Sequence, residues 1–253
     1  MKRFILIILC GIVLTSCNQQ DPSSQQTSLR ISAASSLTTV MKEIKKQYQK
    51  KHPEQEITIQ YASSGTLAHQ LIQGAPSDLY ISASERWMDK VVQEGLIQQK
   101  DVQPLLKNRL ILASYEGKNI KISQLADEAI DQFAMGDPES VPAGAYAKQA
   151  LEHVKVWRAV KDKAVYGKNV RQVASYIQSQ NVEAGFVYQS DVQALKGVTE
   201  LQVIPEEYHE PVTYPMGIIN ESQESSLMEG FIKYLKGPEA KKVFQSYGFV
   251  PVE

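Results

Sequence analysis

Cysteine is nearly absent: the 253-residue chain holds two, Cys10 and Cys17. Both precede residue 29, so the body that follows has none for a disulfide, a cysteine-ligated metal or a thiol nucleophile. Positive charge is not in excess either. Lys and Arg number 27 against 28 Asp and Glu, and the lack of a basic stripe counts against a nucleic-acid partner. Histidine is sparse and scattered, at His52, His69, His153 and His209. No His-x-x-x-His or His-Glu-x-x-His spacing offers a zinc site. No Gly-x-Ser-x-Gly elbow occurs, which disfavours a serine hydrolase. His69 lies five residues after Ser64 and points off the same helix face, which disfavours a dyad. No internal repeat is visible.

The one long apolar run lies at the N-terminus. Lys2 and Arg3 precede Phe4 to Leu14, interrupted only by Cys10 and Gly11. The run falls short of the ~20 residues that a spanning helix needs, and its size and flanks fit a secretory signal over residues 1–16. It ends in Leu14-Thr15-Ser16-Cys17, which resembles a bacterial lipobox. Cys17 is therefore expected to carry lipid, anchoring the chain to the extracytoplasmic face of the cell membrane without spanning it. Asn18 to Ser28 is rich in Gln and Ser with no aliphatic residue, so 17–28 is read as a flexible tether. Loss of Lys2 and Arg3 would leave the formal charge near −3 rather than −1.

From residue 29 on, strand-like and helix-like segments alternate. Leu29–Ala34, Ile57–Tyr61, Leu79–Ile81, Leu110–Ala113, Phe133–Met135 and Ala184–Val187 read as strands. Leu37–Lys50 carries Leu37, Val40, Met41, Ile44 and Tyr48 at helical spacing, and Pro53 stops it. Thr66–Gln73, Ala145–Val154 and Val170–Gln178 also read as helices. This alternation predicts an α/β fold with mainly parallel sheets.

In such sheets ligands sit where strands end and helices begin. Four of these junctions are small, polar or glycine-bearing: Ala34 to Leu37, Ala62 to Thr66, Gly136 to Gly144, and Lys168 to Val170. Each aims unpaired helix N-terminal N–H groups outward, which makes an anion site. A site with donors alone suits a fully deprotonated tetrahedral dianion. A protonated anion such as hydrogen phosphate would leave its proton unpaired, at roughly 1–3 kcal/mol. Half a dozen such donors could support about −8 to −12 kcal/mol of binding after ordering costs.

These stretches resemble the periplasmic molybdate-binding protein family. The likeness runs from Ile31 to Phe249 and is carried by Ala33-Ala34-Ser35-Ser36-Leu37, Ser63 to Ala68, Gly74 to Ala83, Asn169-Val170-Arg171 and Ala184 to Tyr188. The most specific stretch is Gly136-Asp137-Pro138-Glu139-Ser140-Val141-Pro142-Ala143-Gly144. The resemblance implies a type II periplasmic-binding-protein fold: two α/β lobes joined by two crossing strands, with the ligand in the cleft. The crossings are expected near Asn108-Arg109-Leu110 and Tyr214-Pro215-Met216. Lobe one would then be 29–108 plus 216–253, and lobe two 109–215.

The resemblance also implies a molybdate or tungstate ligand held by hydrogen bonds from neutral groups. Ser36 and Ser64 would donate through hydroxyl and backbone N–H, Ala143 and Val170 through backbone N–H, and Tyr188 through its phenol. No protein side chain would ligate a metal directly, no cofactor is implied, and the partner is the membrane permease of an ABC importer. A monomer is the family habit. Three positions depart from the family: Ser35 where Ala is usual, Lys168 where an acid is frequent, and Gln189 where a small residue is commoner. Lys168 would add positive potential near the cleft.

Blander roles exist for the same residues. Ser36 and Ser64 suit plain N-caps, Tyr188 a packing residue, and Asp137 a loop residue beside Pro138. Arg171 suits a pairing with a carboxylate such as Asp137, or a brace at the hinge. A receptor for sulfate or another small solute is the alternative within binding proteins, and a hydrolase is the alternative outside them.

Overall fold

The computed structural model describes residues 28–115, 120–193, 195–220 and 226–252. The expected signal segment, Cys17 and the tether up to residue 27 lie outside the described residues. Within them the chain forms eleven strands: β1 (Ser28–Ala34), β2 (Glu56–Ala62), β3 (Leu79–Ile81), β4 (Val102–Lys107), β5 (Leu110–Tyr115), β6 (Phe133–Gly136), β7 (Ala164–Gly167), β8 (Ala184–Tyr188), β9 (Val198–Val203), β10 (Thr213–Ile218) and β11 (Val250–Pro251). They make two sheets, in the orders β11-β4-β10-β3-β1-β2 and β7-β6-β8-β5-β9.

The local reasons are visible in the sequence. Helix Thr38–Lys51 buries Val40, Met41, Ile44 and Tyr48 along one face and ends at His52, just before Pro53. β1 is buried along nearly its whole length, as expected for a strand covered on both faces. β3, β6 and β8 are wholly buried. Each fully buried Val, Leu, Ile or Phe among them contributes roughly 1.5–3 kcal/mol of transfer free energy.

Both sheets are mixed rather than mainly parallel. β1 pairs parallel with β2 and β3, and β6 pairs parallel with β7 and β8. β10 is antiparallel to β3 and β4, and β5 is antiparallel to β8 and β9. The cause is the path of the chain. The parallel strands run toward the junction between the sheets, so a strand arriving from the other sheet must run the opposite way. Leu110, the first residue of β5, accordingly lies opposite Tyr188, the last of β8.

The chain leaves the first sheet between Lys107 and Leu110 and returns between Val203 and Thr213. The return comes earlier than expected: Tyr214 and Pro215 already pair with β4 in the first sheet, so the passage is 204–212. Pro215, which has no N–H to offer, sits at an irregularity in that pairing, where strands tolerate proline.

Candidate functional site

Where the two sheets meet, the ends of their parallel strands enclose a small cavity. Its lining includes Ser36, Ser64, Ala143, Val170 and Tyr188, all five of the residues singled out by the sequence. All five are buried, and no lining residue is charged. Ser36 and Ser64 follow β1 and β2 of the first sheet, Ala143 and Val170 follow β6 and β7 of the second, and Tyr188 ends β8.

Three helices begin at this cavity, each with its own first-turn N–H groups. Ser64 opens helix Ser64–Ile72, Ala143 follows Pro142 at the start of Pro142–His153, and Val170 opens Val170–Gln178. Such groups have no acceptor within their own helix. Pro142 suits its place because a first-turn proline gives up an N–H that the helix would not use. Ser36 lies in the single 3-10 turn Ser35–Leu37, which runs straight into helix Thr38–Lys51.

The capping is done by neighbours of the singled-out residues. Ser63 Oγ accepts the Thr66 N–H at 3.2 Å, and Asn169 Oδ1 accepts the Gln172 N–H at 3.0 Å. Ser64 is therefore not the cap. Its Oγ accepts the Ala83 N–H at 2.9 Å, while its carbonyl accepts the Tyr80 hydroxyl at 2.8 Å. Ser36 Oγ stands 2.9 Å from the Tyr214 hydroxyl.

The Gly136-to-Gly144 stretch has a packing reason. A side chain on Gly144 would sit on the Gly136 carbonyl, so only glycine lets this helix start lie against the end of β6. Asp137 organises the loop between them: its carboxylate accepts the Glu139 N–H at 3.0 Å and the Ser140 hydroxyl at 3.2 Å.

Tyr188 is the sharpest electrostatic feature. Its hydroxyl is buried and has no hydrogen-bond partner among the described residues. Burial holds its pKa well above the ordinary tyrosine value, so the phenol remains a neutral donor. Leaving such a group unsatisfied costs about 1–3 kcal/mol, so its position at the cavity calls for an acceptor there. Its backbone N–H donates to Asp191 at 3.1 Å. Burial pushes the Asp191 carboxyl up to about 7, against the opposing pull of that N–H and of Arg171.

Arg171 does not pair with Asp137. Its guanidinium donates to Thr39 Oγ1 at 2.9 Å, reaching from the second sheet's layer to the first. Two further bonds cross the same junction: the Gly65 N–H to the Ser140 carbonyl at 3.0 Å, and the Tyr146 hydroxyl to the Ala83 carbonyl at 3.2 Å. Lys168 is not at the cavity. It lines a separate groove with Asp137 and Tyr166, so the expected positive potential beside the site is displaced outward. Ser35 does line the cavity, and its carbonyl accepts the Thr38 hydroxyl at 2.6 Å. A larger outer groove is lined by Glu85, Asp89, Glu139 and Glu210 against Arg86 and Lys90, an acidic excess that disfavours an anion.

Sequence reasoning assigned no ligand contact to Asn108, Ala83, Asp191 or Tyr214. Ala83 itself lines the cavity, Asp191 and Tyr214 bond the lining residues Tyr188 and Ser36, and Asn108 bonds Tyr214 in turn. Among the described residues, no group of three or more His, Cys, Asp or Glu side chains is placed to hold a metal ion.

Residues 29–250 match the family model described as bacterial extracellular solute-binding protein. The chain belongs to this family. A relative within reach is a Bacillus subtilis (strain 168) protein, YvgL, named as a candidate ABC transporter substrate-binding lipoprotein. It is 40% identical, with 98% of this chain and 95% of that one covered. Another is the molybdate-binding protein ModA of Escherichia coli (strain K12), 34% identical over 98% of this chain and 99% of its own. Among solved structures, the periplasmic molybdate-binding protein of Azotobacter vinelandii superposes with a TM-score of 0.79 at 23% identity, covering 89% of this chain and 100% of that one. The fold, two mixed sheets with helices, is thus shared with a periplasmic binding protein. Among the described residues no helix is long and apolar enough to cross a membrane.

Proposed function

We propose that this solute-binding protein captures molybdate or tungstate between two lobes and delivers it to the membrane permease of an ABC importer. The observation that carries the reading is the convergence of neutral donors from both sheets on one buried cavity that includes the unpartnered Tyr188 hydroxyl. Ser36 and Ser64 hydroxyls, the N–H groups of Ser36, Ser64, Ala143 and Val170, and the Tyr188 phenol are the proposed ligand contacts. The cavity is small and uncharged, which suits one small ion rather than a larger organic solute. The ModA name of the E. coli relative supports the choice of oxyanion.

The lobes in this proposal are 29–108 plus 213–253, and 109–212, the second boundary being moved to the start of β10. An ion touching both lobes binds the closed arrangement better than the open one, and closure follows from that difference in affinity. The permease would recognise the closed arrangement. Cys17 is the proposed lipid attachment, after removal of 1–16, and the lipoprotein name of the B. subtilis relative supports it. The chain is proposed to act as a monomer, to carry no cofactor, to bind no nucleic acid and to catalyse no reaction.

The test is calorimetric titration of the body from Leu29 to Glu253, purified free of oxyanions, with molybdate, tungstate, sulfate and phosphate. One-to-one binding of molybdate and tungstate, with sulfate far weaker, is expected. Tight sulfate binding would move the cargo to sulfate on the same architecture. Silence from all four would end the oxyanion reading.

A further inference from the structure

The hydroxyl of Ser36 has a direction, and it can be traced back to the hinge. Asn108 lies in the passage from the first sheet to the second and is buried. Its Oδ1 accepts the Arg109 N–H at 2.8 Å. A backbone N–H cannot donate to an amide NH2, so the side-chain amide has one orientation. Nδ2 must then face the other way, where it donates to Ser190 Oγ at 2.8 Å and, at a longer 3.4 Å, to the Tyr214 hydroxyl oxygen.

Tyr214 is fully buried, and burial raises its pKa, so it keeps its proton. That proton cannot go to Asn108, which offers only donors on this side. The remaining acceptor is Ser36 Oγ at 2.9 Å. Tyr214 therefore donates to Ser36, and the Ser36 proton is left to point into the cavity. Ser64 is held in the same sense by the Ala83 N–H, a donor that cannot reverse.

We propose that Tyr214 and Asn108 are specificity-determining positioning residues, which fix the Ser36 hydroxyl as a donor toward the ligand so that an anion carrying a proton finds no acceptor there. The proposal rests on the oxyanion reading of the cavity. Sulfate and monohydrogen phosphate are the discriminating pair: both are tetrahedral dianions of similar size, and only phosphate carries a proton. In the intact relay, phosphate would have to turn the Ser36 proton toward a position with no acceptor. Without the Tyr214 hydroxyl, Ser36 rotates freely and accepts the phosphate proton.

The test measures sulfate and phosphate binding by competition against molybdate for the wild type and Tyr214→Phe, each checked for folding by circular dichroism. The ratio of phosphate to sulfate affinity is expected to rise about tenfold in Tyr214→Phe, the size of one relieved unpaired polar group. Tyr188→Phe removes a donor without turning Ser36, so it weakens both anions and leaves the ratio near the wild-type value. In a Ser36→Ala background, Tyr214→Phe no longer moves the ratio, an outcome that a general loosening of the fold would not produce. If Tyr214→Phe fails to fold, Asn108→Asp replaces it: a carboxylate oxygen in place of Nδ2 accepts the Tyr214 proton, turns it away from Ser36 and shifts the ratio in the same direction. A wild type that binds molybdate, with a ratio unchanged in the folded variant or changed equally in the Ser36→Ala background, overturns the relay while leaving the oxyanion site standing. Absence of binding to any of these anions by the wild type overturns the site and the relay together.

Discussion

Replacing Ser64 by alanine separates two quantities that are usually lost together. The Ser64 hydroxyl is placed to donate to the proposed ion and accepts the Ala83 N–H at 2.9 Å. Losing a hydrogen bond to a charged acceptor costs about 1.5–3 kcal/mol, or a Kd roughly 10- to 150-fold weaker. The same change strands the Ala83 N–H where both residues are at most 2% exposed, a loss of about 1–3 kcal/mol in stability. That second loss is present with and without ligand, so it does not add to the change in affinity. Calorimetry with molybdate reads the first quantity, and urea denaturation of the ligand-free protein reads the second. Ser63→Ala is the companion variant. It removes the helix cap, about 0.5–2 kcal/mol of stability, while the donors to the cavity stay in place, so its Kd should move far less. An unchanged Kd for Ser64→Ala removes this hydroxyl from the site. Equal losses of affinity in the two variants would mean that the position of the helix, rather than the hydroxyl, governs binding.

The raised pKa of Asp191 makes stability depend on pH. A carboxyl at about 7 in the folded chain, against 3.8 ordinarily, binds its proton more tightly folded than unfolded. Its contribution is therefore full below about pH 4 and is lost as pH rises through 7, by at most about 4 kcal/mol. Asp191→Asn should flatten the urea midpoint between pH 5 and 8 and raise it at pH 8; an unaltered pH profile refutes the assignment. Gly144→Ala forces a methyl onto the Gly136 carbonyl and should lower stability by about 1–3 kcal/mol or more, read from the thermal midpoint. Lys168→Ala, outside the cavity, should leave the molybdate Kd within about twofold at 0.15 M salt, where exposed charges beyond ~8 Å are screened; a larger change would return this lysine to the site.

The parts of the molecule that the sequence disclosed are those written in local pattern. Val40, Met41, Ile44 and Tyr48 repeat at helical spacing and pack as a face. Phe133–Met135 and Ala184–Val187 are short buried runs and appear as strands. The strand-to-helix junctions are also local, so all five singled-out residues reach one cavity. What stayed hidden depends on pairing across distance. β4, β7 and β9 are partly exposed and carry weak patterns. The second crossing, expected from the resemblance near Tyr214-Pro215-Met216, falls within β10, which lies inside the first sheet, hydrogen-bonded to both neighbours. The contact of Arg171 with Thr39 joins residues 132 positions apart, and nothing along the chain marks that pairing over one with Asp137.

The helices that open on the cavity come from both sheets, and each offers the same end. The N-terminus of a helix behaves as about half a positive charge, so the two halves of the molecule face one another with poles of like sign. Brought together around nothing, those poles push apart; a dianion set between them turns the repulsion into two attractions. Under the proposed function the cargo is the latch of that spring, and the force that would open the protein after release lies in the direction in which its helices run.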